Sequence, residues 1–210
     1  TSDIIEDGTL NTVLDVKVSD IESAERRLKV SRNVIATSAA MLALADITEQ
    51  KNVYVEWLYD NRINLKLSNS FGNLIKSMPV AINLNENEEP KDILKEVNRQ
   101  ISEGIANSVY EFDMAINSNI KTQAMEVNYL QGIGQAASDD GNTSLKFSNI
   151  PLSDSQRLAS SRMELYISES DNQIQLSINY LASMYNESTI KKYAELFNKY
   201  MNKICNIRTV

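Results

Sequence analysis

The chain has 210 residues, 42% of them hydrophobic and 23% charged, a globular composition long enough to bury its own core. A formal net charge of −7 argues against sequence-independent nucleic-acid binding and against an anionic membrane surface as the main partner. With no histidine and one cysteine, the chain has no internal disulfide, no imidazole metal site, no thiolate zinc site and no histidine for proton transfer.

The lone thiol, Cys205, is the usage expected of a reducing compartment, and we place the protein in the cytoplasm. No stretch reaches the roughly 18 consecutive apolar residues of a membrane span. No charged stretch followed by an apolar one marks a signal peptide, and Thr1 leads us to expect a chain cut from a longer polypeptide.

The chain opens on LNTVLDVKV (10–18), where Leu14, Val16 and Val18 alternate with Val13, Asp15 and Lys17, the period of a strand. Ser19 or Asp20 is placed to cap a helix over about 21–29, and Ser31 to cap another over 32–47. That second helix, with VIATSAAMLALA, is apolar or small almost all round, so it belongs inside. VYVEWLYD (53–60) has the β-branched and aromatic content of a central strand. MPVAINL (78–84) is another strand, and Pro79 puts it at an edge because proline donates no ladder hydrogen bond.

Pro90 suits the first turn of a helix over about 90–107, with Ile93, Leu94, Val97, Ile101 and Ile105 on one face. EVNYLQ (126–131) reads as a strand and ASDDGNTS (137–144) as a loop. In MELYISESDNQIQLSINY (163–180) two alternating runs flank ESDN, the pattern of a hairpin. Ile190, Tyr193, Ala194, Phe197, Tyr200, Met201 and Ile204 make a helical stripe over about 187–205. The order predicts an α/β domain in which helices layer a mixed sheet, with no internal boundary.

The residues offer no catalytic constellation. Gly132-Ile-Gly134 lacks the third glycine of a dinucleotide fingerprint and reads as a turn. Asp139-Asp140-Gly141-Asn142 starts like a calcium loop but lacks the remaining ligands. Asn142-Thr143-Ser144 and Asn186-Glu187-Ser188 fit the glycosylation pattern, with no secretion signal to support it. Cys205 has no base beside it and reads as a structural thiol. Glu56, Asp60, Glu111 and Asp113 read as solvated or salt-bridged carboxylates. The chain reads as a lobe that does not work alone.

Five segments, in order, resemble the C-terminal half of a condensation domain of nonribosomal peptide synthetases, which has the chloramphenicol-acetyltransferase-like fold. SRNVIATSAAMLALADITEQKNVYVEWLYDNR (31–62) is similar to the family's T-x-x-x-x-L-L-A-A-x-A-x-x-L helix, strand and closing Asn-Arg. FGNLIKSMPVAINL (71–84) resembles I-G-x-F-V-N-T-x-P-V-R, with Phe71 and Gly72 in the first positions and Met78-Pro79-Val80 in the last. NEEPKDILKEVNRQISEGIANSVYEFDMAI (87–116) resembles the following helix and the H-Q-x-x-P-F-E element. VNYLQG (127–132) is similar to M-F-V-L-Q-N, and residues 162–204 to the closing hairpin and helix.

The resemblance covers nearly the whole chain and implies one lobe, residues 1–210, of a two-lobed fold. In that family the catalytic His-His-x-x-x-Asp-Gly lies on the N-terminal lobe, which fits the absence of histidine here. The implied activity is amide formation between carrier-bound acyl and aminoacyl thioesters, with no catalytic residue and no metal in this lobe. No cofactor would bind directly; phosphopantetheine would arrive on partner carrier domains. Implied partners are the N-terminal lobe, peptidyl or aminoacyl carrier domains and an adjacent adenylation domain, with no nucleic acid and no membrane. The segment around VNYLQ and the loop 132–150 would form a crossing or floor element.

Departures stand at particular places. Lys76 occupies the position of the family's Asn and Ser77 that of its Thr. Asn107-Ser108 falls near its His-Gln and Glu111 replaces its Pro, while Phe112 and Asp113 keep the aromatic and the acid. Asn61, Arg62, Lys76 and Ser77 are therefore the expected substrate-tunnel or lobe-interface residues. A divergent noncatalytic lobe that docks carrier or tailoring domains is the alternative, and a two-chain acyltransferase completed in trans a third reading.

Overall fold

A computed structural model describes residues 7–62, 72–84, 89–108, 124–130 and 163–208. Its elements are β1 (Asp7–Lys17), α1 (Val18–Leu28), α2 (Arg32–Thr48), β2 (Asn52–Asp60), β3 (Ile75–Asn83), α3 (Pro90–Ala106), β4 (Met125–Leu130), β5 (Glu164–Ser170), β6 (Gln173–Leu181) and α4 (Glu187–Cys205). The strands form one sheet in the order β1-β6-β5-β4-β2-β3. The β2–β4 and β4–β5 pairs are parallel and the other pairs antiparallel, so the sheet is mixed, as the element order predicts.

Alternation along the strands gives the sheet two unlike faces. Val53, Val55, Trp57 and Tyr59 of β2, Met78, Val80 and Ile82 of β3, and Leu165 and Ile167 of β5 are buried on one face. The described helices pack on that face: α2 over β2 and β4, α3 over β3, α4 over β1. Helix α2 lies in the middle, against both α3 and α4, which is why its sequence has no polar stripe. Its cap is the expected one, with Ser31 Oγ accepting from the Val34 N–H at 3.4 Å. Helix α4 turns Ile190, Tyr193, Phe197, Met201 and Ile204 into this core, and the Tyr193 hydroxyl donates to the Ala40 carbonyl at 3.1 Å.

Three starts differ from the expected ones, the first being that of β1, which begins at Asp7 rather than Leu10. Helix α1 begins at Val18, so Asp20 sits in its first turn rather than before it, and its carboxylate accepts from the Lys17 N–H at 2.9 Å. The remaining cap comes from the β5–β6 turn. Asp171 and Asn172 both have positive φ (49° and 61°), the left-handed pair of a two-residue hairpin turn. Asn172 then accepts from the Val18 N–H with its carbonyl (3.3 Å) and from the Ser19 N–H with its side chain (3.1 Å). Strand β3 begins at Ile75, three residues before the expected start, so Lys76 and Ser77 lie inside the strand.

Among the described residues β3 pairs only with β2, the edge position that Pro79 indicates. Part of its outward backbone edge is blocked. Gln100 of α3 accepts from the Ala81 N–H (2.9 Å) and donates to the Ala81 carbonyl (2.6 Å), as a neighbouring strand would. By alternation Pro79 and Ile75 share that outward side; Pro79 has no N–H, and the Ile75 N–H donates to Asn73 Oδ1 at 3.1 Å. Edges blunted in this way resist pairing with another chain.

Candidate functional site

Asn61 and Arg62 follow the C-terminal end of β2, beside the start of β3, because Asp60 pairs with Ile75. Both are half-buried. The Arg62 guanidinium pairs with Asp60 at 2.6 Å and donates to the Gly72 carbonyl at 2.7 Å. Gly72 has φ +134°, which disfavours any residue with a side chain. Arg62 thus joins the two ends of the β2–β3 connection, and Asp60 is a salt-bridged carboxylate, as its sequence context suggests.

Lys76 and Ser77 point to opposite faces. Lys76 pairs with buried Tyr59 and lies on the helix side with Met78. Its ammonium donates to the Ser108 carbonyl, just past the end of α3, at 2.5 Å. A cation there complements the negative end of the helix. The two departures from the family pattern, Lys76 and Asn107-Ser108, are therefore one contact across 32 positions of sequence.

Ser77 lies on the other face, diagonal to Glu56, and donates to Glu56 Oε2 at 2.6 Å. The Tyr54 hydroxyl donates to the second oxygen of the same carboxylate at 3.3 Å. Glu56 is only 5% exposed, so it is a buried hydrogen-bonded carboxylate rather than a solvated one. From Glu56 the register runs through Glu126, Glu164 and Asn179 to Thr9. The Tyr166 hydroxyl donates to Glu164 at 3.2 Å, and burial followed by the Glu164 charge pushes its pKa up. The face that no described helix covers, open in that sense, thus carries a band of acids, tyrosines and hydroxyls across the sheet. Among the described residues no His/Cys/Asp/Glu group could hold a metal ion.

A second polar cluster binds α1, α2, β4 and β5 together. The Arg32 guanidinium, 13% exposed, pairs with Glu25 (2.8 Å), Glu22 (3.3 Å) and Glu169. The Tyr129 hydroxyl donates to Glu169 at 2.8 Å. Burial would lower the Arg32 pKa, but hydrogen bonds to Glu169 and Glu25 outweigh it and hold the group above the ordinary arginine value. Cys205 is buried and burial pushes its thiol up to about 12, so it is inert at neutral pH.

Neither the Glu56–Ser77 pair nor the Arg32 cluster has a local sequence signal, because their partners come from other strands and helices. A buried glutamate inside VYVEWLYD was the available hint. Phe71, Glu111, Phe112, Asp113, Gly132, Gly134 and the loop segments 132–150 lie outside the described residues.

With this geometry in view, the sequence matches the family described as the condensation domain over residues 5–207. The chain belongs to the condensation-domain family. No curated protein matches it by sequence. Among solved structures it is similar to the epimerization domain from the third module of tyrocidine synthetase B, at 16% identity and TM-score 0.67, covering 98% of this chain and 49% of that one. It is also similar to PapA2 acyl transferase, at 9% identity and TM-score 0.72, covering 97% of this chain and 45% of that one. A four-domain nonribosomal peptide synthetase bound to AMP and glycine matches at 9% identity and TM-score 0.75, covering 95% of this chain and 17% of that one.

The condensation-domain chain thus spans about half the length of the first two structures. At these identities the likeness bears on the fold, which is the helix-layered mixed sheet of the chloramphenicol-acetyltransferase-like class. No single helix among the described residues is long and apolar enough to cross a membrane.

Proposed function

We propose that the chain is the C-terminal lobe of a domain that forms amide bonds between carrier-bound acyl and aminoacyl thioesters. The acceptor amine nitrogen bonds to the donor thioester carbonyl carbon, the C–S bond breaks, and the proton lost by the amine ends on the released thiol. With no histidine, this chain supplies walls and positioning, and the proton-transfer group belongs to the N-terminal lobe. The observation that carries the reading is the family match over residues 5–207 in a chain with half the span of its structural relatives.

In this reading the open sheet face borders a tunnel between two lobes in a cytoplasmic, multidomain synthetase. Phosphopantetheine enters on carrier domains and an adenylation domain stands alongside. Asn61, Arg62, Lys76 and Ser77 are the proposed tunnel and lobe-interface positions, with Lys76 acting through the end of α3.

The test is single-turnover amide formation with carrier proteins loaded with donor and acceptor. The full-length protein should form product and the isolated chain of residues 1–210 none. Product from the isolated chain would overturn the division of labour. A full-length protein that binds loaded carriers but forms no amide would favour the docking reading. The internal use of the Lys76 ammonium, held on Ser108 instead of facing a substrate, is the observation that keeps that second reading in view.

A further inference from the structure

The sheet has two edge strands, and they are finished differently. On β3, Pro79 and Gln100 block part of the outer side. On β1 the block sits at one end. The ladder to β6 breaks between Val13 and Lys17, and there Asn198 of α4 accepts from the Asp15 N–H at 3.0 Å and donates to the Asp15 carboxylate at 2.6 Å. From Gly8 to Val13, β1 pairs with β6 on its inner side, and among the described residues nothing pairs with its outer side.

The stretch Gly8 to Leu14 reads GTLNTVL and carries neither charge nor proline, two devices that keep natural edges from pairing. Thr9, Asn11 and Val13 stand exposed in a row on one face, Val13 at 52%. The length is that of an ordinary strand. Such an edge recognises one thing, the backbone of another extended segment.

We infer that β1 pairs antiparallel with β1 of a second copy of this chain, about a two-fold axis normal to the sheet at Asn11. The pattern of the strand fits this occupant. The axis keeps the helix-covered faces of both copies on the same side. It sets Asn11 opposite the partner's Asn11, Thr9 opposite the partner's Val13 and Leu10 opposite the partner's Thr12. Amide meets amide and β-branched meets β-branched, and no acid faces an acid within the stretch. The net charge of −7 opposes self-association in general, and this stretch contributes nothing to that repulsion. The inference does not depend on the condensation reading.

The test is sedimentation of the full-length protein over a range of micromolar concentrations. Wild type should reach a dimer. Asn11→Lys, at an exposed position that spares the fold, sets two ammonium groups face to face and should weaken the dimer about 10-fold. Asn11→Cys should form a disulfide-linked dimer on mild oxidation, because facing residues have the Cα separation a disulfide needs. Val13→Cys alone should not, because it faces Thr9. The cross-link reads the register, which a general loss of stability would not change.

A wild type that stays monomeric at every concentration overturns the inference. A dimer that Asn11→Lys leaves intact, or that Asn11→Cys fails to cross-link, overturns it as well. Protection of the Gly8–Val13 amides from hydrogen exchange in a monomer would assign this edge to a strand from elsewhere in the polypeptide, which also overturns it.

Discussion

In register across the sheet, the helix-covered face carries Met78, Trp57, Val127, Leu165, Ile178 and Leu10. One residue along, the open face carries Pro79, Glu56, Glu126, Glu164, Asn179 and Thr9. The same strands thus place a wholly apolar row and a largely polar one a single step apart. Acids directly side by side on neighbouring strands work against stability unless each has partners, and Glu56, Glu126 and Glu164 all have them. The covered row forms the core, and the polar row depends on interactions made across strands.

Four substitutions separate those roles. Leu165→Ala, at a position with no exposure, should cost about 2–5 kcal/mol in urea unfolding of the full-length protein. A loss under 1 kcal/mol would mean that the covered face is not the core. Arg32→Met leaves Glu25 and Glu169 without their cation and should cost about 3 kcal/mol, with Arg32→Lys recovering only part, since an ammonium cannot span three carboxylates as a guanidinium does.

Ser77→Ala should cost about 1–3 kcal/mol, because a buried carboxylate loses its short donor. An unchanged midpoint there would show that the other partners of Glu56 hold it without Ser77. Lys76→Met should cost about 1 kcal/mol by removing the cation from the end of α3, and added salt should narrow the gap from wild type.

The smallest effect concerns Cys205, which belongs to the covered side. Its folded pKa near 12 lies above the roughly 8.5 of an unfolded thiol. The unfolded chain therefore loses the proton first, and the stabilisation, complete below about pH 8.5, is lost as pH rises towards 12. Native protein at pH 7 should resist iodoacetamide until it is unfolded, and Cys205→Ala should flatten the alkaline decline. Rapid alkylation of native protein would place the thiol at the surface.

The covered face was legible in the sequence because its signal is periodic. Ile174, Leu176, Ile178 and Tyr180 announce β6, and the uniform small and apolar run of α2 announces a buried helix. The open face was not, because register decides it. Nothing within VYVEWLYD says that Glu56 will lie diagonal to Ser77 or beside Glu126. The role of Lys76 is hidden for the same reason, its partner being the Ser108 carbonyl at the far end of the next helix. Arg32 likewise draws on Glu22, Glu25, Glu169 and Tyr129, which share no spacing rule. Asn172 could be read as a turn residue, but its service to α1 needs the whole sheet in place.

The pairing of β1 with β6 has a consequence for how the chain acquires its shape. Thr9 hydrogen-bonds Asn179, 170 positions away, and Arg27 donates to the carbonyls of Cys205, the last residue of α4, and of Ile207 just beyond it. Among the described residues the strand partner of β1 is β6, so that pairing waits until β6 has left the ribosome, and contacts of such high sequence separation form slowly. During synthesis β1 must wait as an unpaired edge. A stalled or truncated product lacking the last hairpin and helix would expose it, which makes such products the ones most prone to aggregate or to be degraded.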